Sequence, residues 1–178
     1  MQSMGRQAVR AIVATAGGQG DFKTPGISVA EIDRAWSDAL RKNLLTAVLL
    51  IEAVIERIDE DGRIILIGST AGLDGQGGPY ATAKAALHGY ARDLARRAGG
   101  SRITANVIAP GFVADTEFFD AGGYGGSAKM IDWTAGQTLV GRVGKPDDIT
   151  ACAERLLSER AGWVTGQTIS INGGSLLK

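Results

Sequence analysis

A serine, a tyrosine and a lysine near the middle of the chain have the types and spacing needed for acid–base chemistry. Tyr80 precedes Lys84 by four residues, so on a helix their side chains share a face. A phenol normally loses its proton at about pH 10, and a neighbouring ammonium favours the phenolate. Ser69 ends an apolar run that is typical of a buried strand. The three residues predict a tyrosine acid–base group and a serine hydroxyl that hydrogen-bonds a substrate oxygen.

A tyrosine followed four residues later by a lysine is common on amphipathic helices, so these residues need support from elsewhere in the chain. Support comes from five further segments: Trp36 with Asn43-Leu44, Pro110-Gly111, Gly141-Arg142-x-Gly144-x-Pro146-Asp147-Asp148, Thr165-Gly166-Gln167, and Asn172-Gly173-Gly174. In this order the motifs resemble the short-chain dehydrogenase/reductase family, close to its 3-oxoacyl-carrier-protein reductase-like members. The resemblance runs from about residue 5 to the end.

The elements that position these motifs alternate between strand and helix. Apolar runs at 10–14, 63–68, 103–109 and 168–171 predict strands. A capping box of Ser28 with Glu31 opens a helix predicted over 29–58, with a possible break, and Asp61-Gly62 then turns the chain. Further helices are predicted from Pro79 to a stop at 99–100 and from Pro146, with a glycine-rich loop over 112–130. This alternation indicates an α/β protein with a parallel sheet covered by helices on both faces.

The resemblance implies more about the fold than the pattern does. It implies one domain over 1–178 that corresponds to the C-terminal part of a doubly wound Rossmann-type fold, strands 4 to 7 of the family. The first three strands are expected to be missing. Neither G-x-G-x-x-G nor G-x-x-x-G-x-G, the loops that hold a dinucleotide pyrophosphate, occurs in the sequence. Gly68 and Gly72 have the opening spacing, but Asp74 takes the third place.

The resemblance also implies a role for each reacting residue. Tyr80 would exchange a proton with the substrate oxygen, and Lys84 would lower the pKa of Tyr80 and bind the nicotinamide ribose. Ser69 would hold the reacting oxygen, and Asn43 would place a water that links Lys84 to solvent. From the residues alone, Asn43 could instead be a polar residue at a helix kink, and Ser69 a strand-end cap.

NAD or NADP is the cofactor that the resemblance implies. Its binding residues would be Tyr80, Lys84, Pro110, Gly111, Val113, Thr116, Ala16 and Gly17. The family's Asn-Asn-Ala-Gly reads Ala14-Thr15-Ala16-Gly17 here, so an amide that normally braces the strands is absent. Phe118 and Phe119, with Tyr124, Met130 and Trp133 nearby, are candidates for the substrate pocket or, alternatively, for loop packing.

The amino-acid composition limits the classes of partner and site that the sequence supports. The charges balance at 19 basic and 19 acidic residues, which favours neither nucleic acid nor an anionic membrane as a partner. The single cysteine, Cys152, suits a reducing cytoplasm, and no apolar run is long enough to span a membrane. The only histidine, His88, leaves a serine-histidine triad or a histidine-rich metal site poorly supported, and is expected on a helix surface or subunit contact.

Two functions follow from these observations. The first is an oxidoreductase that transfers hydride between NAD(P)(H) and a small-molecule ketone or secondary alcohol. The second is a non-catalytic fragment or pseudoenzyme subunit that lacks the phosphate loop. In either case the helices bearing Asn43 and Tyr80 are expected to build a homo-oligomer contact, a dimer or tetramer.

Overall fold

The sheet carries the candidate residues at its strand ends. The computed structural model describes residues 8–18, 28–116, 118 and 127–177. These residues form four strands: β1 (Val9–Ala14), β2 (Ile58–Ile67), β3 (Thr104–Pro110) and β4 (Thr168–Ile171). All pair in parallel, in the order β1-β2-β3-β4. The predicted α/β class with a parallel sheet is therefore confirmed.

The helices of the described residues connect these strands. They are α1 (Val29–Leu40), α2 (Thr46–Val54), α3 (Ala71–Asp74), α4 (Gly78–Ala98), α5 (Ala128–Gly136) and α6 (Pro146–Leu157). The capping box at the start of α1 is present, because the Ser28 hydroxyl accepts from the Glu31 amide at 3.3 Å while the Glu31 carboxylate accepts from the Ser28 amide at 3.1 Å. Pro79 lies in the first turn of α4 as predicted.

Two helical layers cover the sheet, and alternate residues of β2 point into each. Ile64 and Leu66 pack against the layer of α2 and α4, in a core that includes Ile51, Leu87 and Leu94. Ile65 faces the other way and packs with Ile108 and with Leu156 of α6. Burial of both faces explains why residues 64–67 are apolar without alternation.

Several boundaries differ from the sequence prediction. The possible break in the helix predicted over 29–58 is present as a π-helical segment, Arg41–Leu45, but β2 already begins at Ile58. Asp61-Gly62 lies inside β2 rather than in a turn before it. Asp61 has φ 59°, and the pairing register with β1 shifts between Val9 and Ala11, so the strand absorbs the turn-like residues as a bulge. The loop predicted over 112–130 also runs too far, since α5 begins at Ala128.

Strand β1 forms one edge of the described sheet. It pairs with β2 on one side, and no described strand pairs with its other side. Ile12 and Ala14 are buried under the helical layer, whereas Val13 points to the opposite face and is 39% exposed. An apolar edge strand with unpaired N–H and C=O groups favours edge-to-edge association.

We expect Val13→Lys to reduce concentration-dependent aggregation, because a lysine on an edge strand opposes the docking of a second strand. The free energy of unfolding should change by no more than about 0.5 kcal/mol, since the side chain remains partly in water. Light scattering over a concentration series, with urea denaturation, measures both. Ile12→Lys is the control and should lose several kcal/mol (about 3 or more) because it buries an unpaired charge. Unchanged aggregation of Val13→Lys would show that the β1 edge is not the associating surface.

Candidate active site

The candidate residues meet where the parallel strands end. The residues after β1 include Ala16 and Gly17, those after β2 include Ser69, and β3 ends at Pro110. Carboxyl ends of parallel strands lie along one edge of the sheet, where α/β proteins bind their ligands. The Thr70 amide donates to the Pro110 carbonyl at 2.9 Å, which joins two of these loops directly.

Tyr80 and Ser69 are brought together by the short helix between them. Tyr80 lies in the first turn of α4, is 7% exposed and hydrogen-bonds Ser69. The Ser69 hydroxyl also accepts from the Ala71 amide at 3.2 Å, which orients it at the start of α3. The Tyr80 ring lies 5.8 Å, centroid to centroid, from the tilted ring of Phe118. The phenol of Tyr80 therefore lies beside both the hydroxyl of Ser69 and the ring of Phe118.

Lys84 lies one turn further along α4 and is buried. It is 4% exposed, and its ammonium donates to the Ile67 carbonyl at 2.8 Å, at the last residue of β2. Its Nζ is 5.9 Å from the centroid of the Tyr80 ring. Burial disfavours the charged form and lowers the pKa of Lys84 to about 8.

The pKa of Tyr80 moves in the direction opposite to the sequence expectation. Burial of the phenol raises its pKa, and the hydrogen bond with Ser69 opposes this only in part. The prediction that Lys84 makes Tyr80 easier to ionise is wrong for this geometry. The ammonium is aimed at the Ile67 carbonyl, while the phenol has lost the water that would stabilise its anion. Tyr80 is consequently a neutral phenol that can donate a proton.

Asn43 is fully buried in the π-helical segment, and its amide is engaged by the loop after β1. Its Oδ1 accepts from the Gly18 amide at 3.0 Å, and its Nδ2 donates to the Gly18 carbonyl at 3.1 Å and to the Ala39 carbonyl at 3.2 Å. Both N–H groups are therefore used, and one lone pair of Oδ1 remains as an acceptor. Asn43 fixes the backbone beside Gly17, a role that its sequence position alone did not indicate.

Gly17 leaves a space between Asn43 and Lys84. A Cβ at this position would lie 2.9 Å from Oδ1 of Asn43 and 3.0 Å from Nζ of Lys84. Both distances are shorter than ordinary Cβ contacts, so both polar groups face the place that a larger residue would fill. The amide oxygen and the ammonium thus converge on the loop after β1.

Gly68 and Gly72, which begin a phosphate-loop spacing in the sequence, serve packing instead. A Cβ on Gly68 would lie 2.7 Å from Cγ1 of Val107, and one on Gly72 would lie 2.8 Å from the amide nitrogen of Ala85. Gly72 lets α3 touch the backbone of α4 at Lys84 and Ala85. This contact sets the separation between Ser69 and Tyr80, and sequence analysis missed it.

The turn after β3 is held by backbone hydrogen bonds. The Gly111 amide donates to the Ile171 carbonyl at 2.9 Å, and a Cβ on Gly111 would lie 2.9 Å from Cβ of Asn172. Val113 is buried and pairs in parallel with Gly144. The Thr116 hydroxyl donates to the Val113 carbonyl at 3.2 Å, so it closes the turn.

The remaining candidates divide between core and surface. His88 is half-buried rather than on the helix surface; its Nε2 is buried without a hydrogen-bond partner, 3.7 Å from the position of a Cβ on Gly68. Burial, and then the charge of Arg92, lower the pKa of His88. Met130 and Trp133 of α5 line a surface pocket with Ser127 and Lys129. Phe119 and Tyr124 lie outside the described residues.

Two classes of site are not seen in the part of the chain that the structure describes. No group of three or more histidine, cysteine or acidic side chains is arranged to bind a metal ion there. None of the helices in that part combines the length and apolar character required to cross a membrane.

The fold and this arrangement place the protein in a known class. The sequence profile described as "Enoyl-(Acyl carrier protein) reductase" matches residues 6–175. The chain belongs to the short-chain dehydrogenase/reductase family, a family of oxidoreductases, and is similar to its 3-oxoacyl-carrier-protein reductases.

Individual relatives support this assignment. The FabG 3-oxoacyl-(acyl-carrier-protein) reductase of Escherichia coli (strain K12) is 38% identical over 149 residues, which cover 80% of this chain and 58% of that protein. The FabG of Pseudomonas aeruginosa is 38% identical over 146 residues, covering 80% and 57%. The chain therefore spans less than two thirds of the length of these curated relatives.

Solved structures match across almost the whole chain. A short-chain dehydrogenase/reductase from Serratia marcescens superposes with a TM-score of 0.79 at 27% identity, covering 94% of this chain and 66% of that one. A short-chain dehydrogenase/reductase from Brucella melitensis, titled glucose/ribitol dehydrogenase, gives 0.81 at 26% identity, covering 96% and 66%. The Rossmann-like fold of the family is therefore present.

We expect the buried ammonium to make stability depend on pH in a way that Lys84→Met removes. Folding lowers the pKa of Lys84 from 10.5 to about 8, so between these values the unfolded chain binds a proton that the folded chain has released. The unfolding free energy of the wild type should therefore rise, relative to that of Lys84→Met, between pH 8 and 10.5, by up to about 3 kcal/mol. Urea denaturation at several pH values measures this difference. The exposed Lys42→Met is the control, and a pH-independent difference for Lys84→Met would contradict the lowered pKa.

Proposed function

We propose that the chain carries the reacting site of an NAD(P)-dependent oxidoreductase that interconverts a ketone and a secondary alcohol. The observation that carries the proposal is the buried, neutral phenol of Tyr80, hydrogen-bonded to Ser69 with the Lys84 ammonium one turn away. A neutral phenol in a water-poor site suits a general acid that protonates a carbonyl oxygen as it is reduced. Membership of an oxidoreductase family supports the same reaction class.

Each reacting side chain has a separate role in this proposal. Ser69 holds the substrate oxygen, and Tyr80 gives or takes its proton. Lys84 provides a positive charge one helical turn from Tyr80. The free lone pair of Asn43 Oδ1 holds a water that connects Lys84 to solvent, so that the proton lost by Tyr80 is replaced. Gly17 keeps the space between these two groups open.

The described residues fit the nicotinamide half of the cofactor. The space at Gly17, bounded by an ammonium and an amide oxygen, suits a ribose with its hydroxyl groups. Lys84, Tyr80 and the loop at Ala16 and Gly17 would hold that ribose. Pro110, Gly111, Val113 and Thr116 would line the nicotinamide. When bound, the cofactor supplies the hydride, while the protein supplies orientation and the proton.

The substrate class follows from the relatives and from the aromatic wall. Several curated relatives are named 3-oxoacyl-carrier-protein reductases, so a 3-oxoacyl thioester is the first substrate to test. Phe118 packs against Tyr80 and would contact the carbon chain beside the reacting carbonyl. We place the protein in the cytoplasm, where such thioesters and NAD(P)H are available.

We expect Tyr80→Phe to lower kcat for NADPH-dependent reduction of a 3-oxoacyl thioester by about a hundredfold or more, because the proton donor is lost. Tyr90→Phe is the matched control. Tyr90 lies on the same helix, but its hydroxyl bonds Glu52 at 2.9 Å on the surface, so kcat should be nearly unchanged. Steady-state kinetics on the wild type, Tyr80→Phe and Tyr90→Phe tests whether Tyr80 is the proton donor. Near-normal kcat in Tyr80→Phe would overturn it, and a wild type that binds neither NADH nor NADPH would favour the non-catalytic alternative.

We also propose that the chain forms a homo-oligomer through α2. Three leucines in α2 or just before it are exposed: Leu45 by 40%, Leu49 by 67% and Leu50 by 49%. The helix bearing Tyr80 was also expected to form this contact, but its small residues Ala83 and Ala91 are buried in the chain's own core. The contact surface is therefore expected on α2 rather than on that face of α4.

We expect Leu49→Glu to shift the protein from oligomer to monomer, since it places a charge in the centre of the proposed contact. Multi-angle light scattering gives the mass directly. Val29→Glu, an equally apolar and exposed position at the start of α1, should leave the mass unchanged. A wild type that is monomeric, or an oligomer that survives Leu49→Glu, would count against this surface.

A further inference from the structure

The segment 138–145, between α5 and α6, contacts the turn that would line the nicotinamide. The Gly144 amide donates to the Phe112 carbonyl at 3.0 Å, and the Ala114 amide donates to the Gly144 carbonyl at 3.0 Å. These two bonds lie on either side of Val113, whose side chain is buried. A single glycine therefore fixes the backbone both before and after the residue expected to face the nicotinamide.

The approach at Gly144 is too close for a side chain. A Cβ there would lie 3.0 Å from the Phe112 carbonyl oxygen and 3.4 Å from Cγ2 of Val113. Any larger residue would push the turn away from the segment. The position of Val113 thus depends directly on where Gly144 is held.

Gly144 is held by an ion pair that encloses it. Arg142 donates through Nη1 and Nη2 to the two carboxylate oxygens of Asp148, each at 2.7 Å. Arg142 Nη1 also donates to the Val143 carbonyl at 3.0 Å, and the Lys145 amide donates to Asp148 at 2.8 Å. The carboxylate therefore binds groups on both sides of Gly144, and it stands in the first turn of α6, whose N-terminus favours a negative charge.

The ion pair between Arg142 and Asp148 fixes the position of neighbouring groups more than it stabilises the fold. Arg142 and Asp148 are 53% and 31% exposed, and ion pairs at such exposure contribute little to the free energy of folding. A bidentate guanidinium–carboxylate pair nevertheless restricts geometry, because two parallel hydrogen bonds fix the planes of both groups. Its effect is local, on the residues between its two members.

We propose that the Arg142–Asp148 pair positions the nicotinamide-facing turn 112–114 through Gly144, and so sets cofactor binding without touching substrate or cofactor. The proposal builds on the proposed NAD(P)-dependent reaction. Neither residue takes part in proton transfer. Both are positioning residues, and their loss affects binding of the nicotinamide more than turnover of the bound complex.

The test compares Asp148→Asn with Asp147→Asn. Both substitutions remove one negative charge from the first turn of α6, but the structure shows Asp148, not Asp147, bonded to Arg142 and Lys145. In Asp148→Asn we expect hydrogen exchange at the Ala114 and Gly144 amides to rise about tenfold. We expect KM for NADPH to rise about three- to tenfold while kcat changes by less than about twofold. Asp147→Asn should show neither change.

A second variant, Gly144→Ala, disturbs the turn 112–114 by steric crowding. Gly144→Ala should increase exchange at the Ala114 amide and raise KM for NADPH, while Gly99→Ala, where a Cβ meets nothing within 4 Å, should not. Unchanged exchange at Ala114 in Asp148→Asn, with faster exchange confined to α6, would show that the pair only caps that helix and would overturn the proposal. The exchange measurement decides this even if the wild type does not use NADPH, so failure of the proposed function remains distinguishable.

Discussion

A buried ammonium organises this site. Lys84 is almost inaccessible to water, and burial of a charge is costly unless polar groups compensate it. The Ile67 carbonyl provides one hydrogen bond, which requires that the end of β2 point at the middle of α4. Another side of the ammonium faces Gly17, where a Cβ would lie only 3.0 Å from Nζ. Strand end, helix and loop are therefore arranged around one charge.

The neighbouring residues follow from that arrangement. Gly72 brings α3 onto the backbone of α4 beside Lys84, and the same contact places Ser69 against Tyr80. Asn43 ties the backbone at Gly18 to the π-helical segment, which keeps the loop after β1 beside the ammonium. In this environment Tyr80 stays protonated, which is the form that the proposed reduction requires. Lys84 and Tyr80 both have pKa values shifted toward their neutral forms by burial.

The sequence predicts the elements well where the signal is local. The apolar runs, the Ser28–Glu31 box and Pro79 each carry their own physical cause, and the strands and helices follow them. Features that depend on distant contacts could not be predicted in this way. The π-helical segment at Asn43 is hydrogen-bonded to Gly18, twenty-five residues away, and ordinary helical periodicity does not reveal that contact. The pKa of Tyr80 was predicted in the wrong direction because spacing gives the distance to Lys84 but not the carbonyl at which the ammonium points. Gly72 and Gly144 were missed as packing positions for the same reason.

The measurement that tests the proposed reaction most directly is isotope transfer. The wild-type chain would be supplied with a 3-oxoacyl thioester and NADPH carrying deuterium at both hydrogen positions of the nicotinamide C4. Mass spectrometry of the product should then show one deuterium on the carbinol carbon, and none arriving there when unlabelled NADPH is used in deuterated water. A hydroxyacyl product without that deuterium, or no product from the wild-type chain, would contradict hydride transfer at the site formed by Ser69, Tyr80 and Lys84.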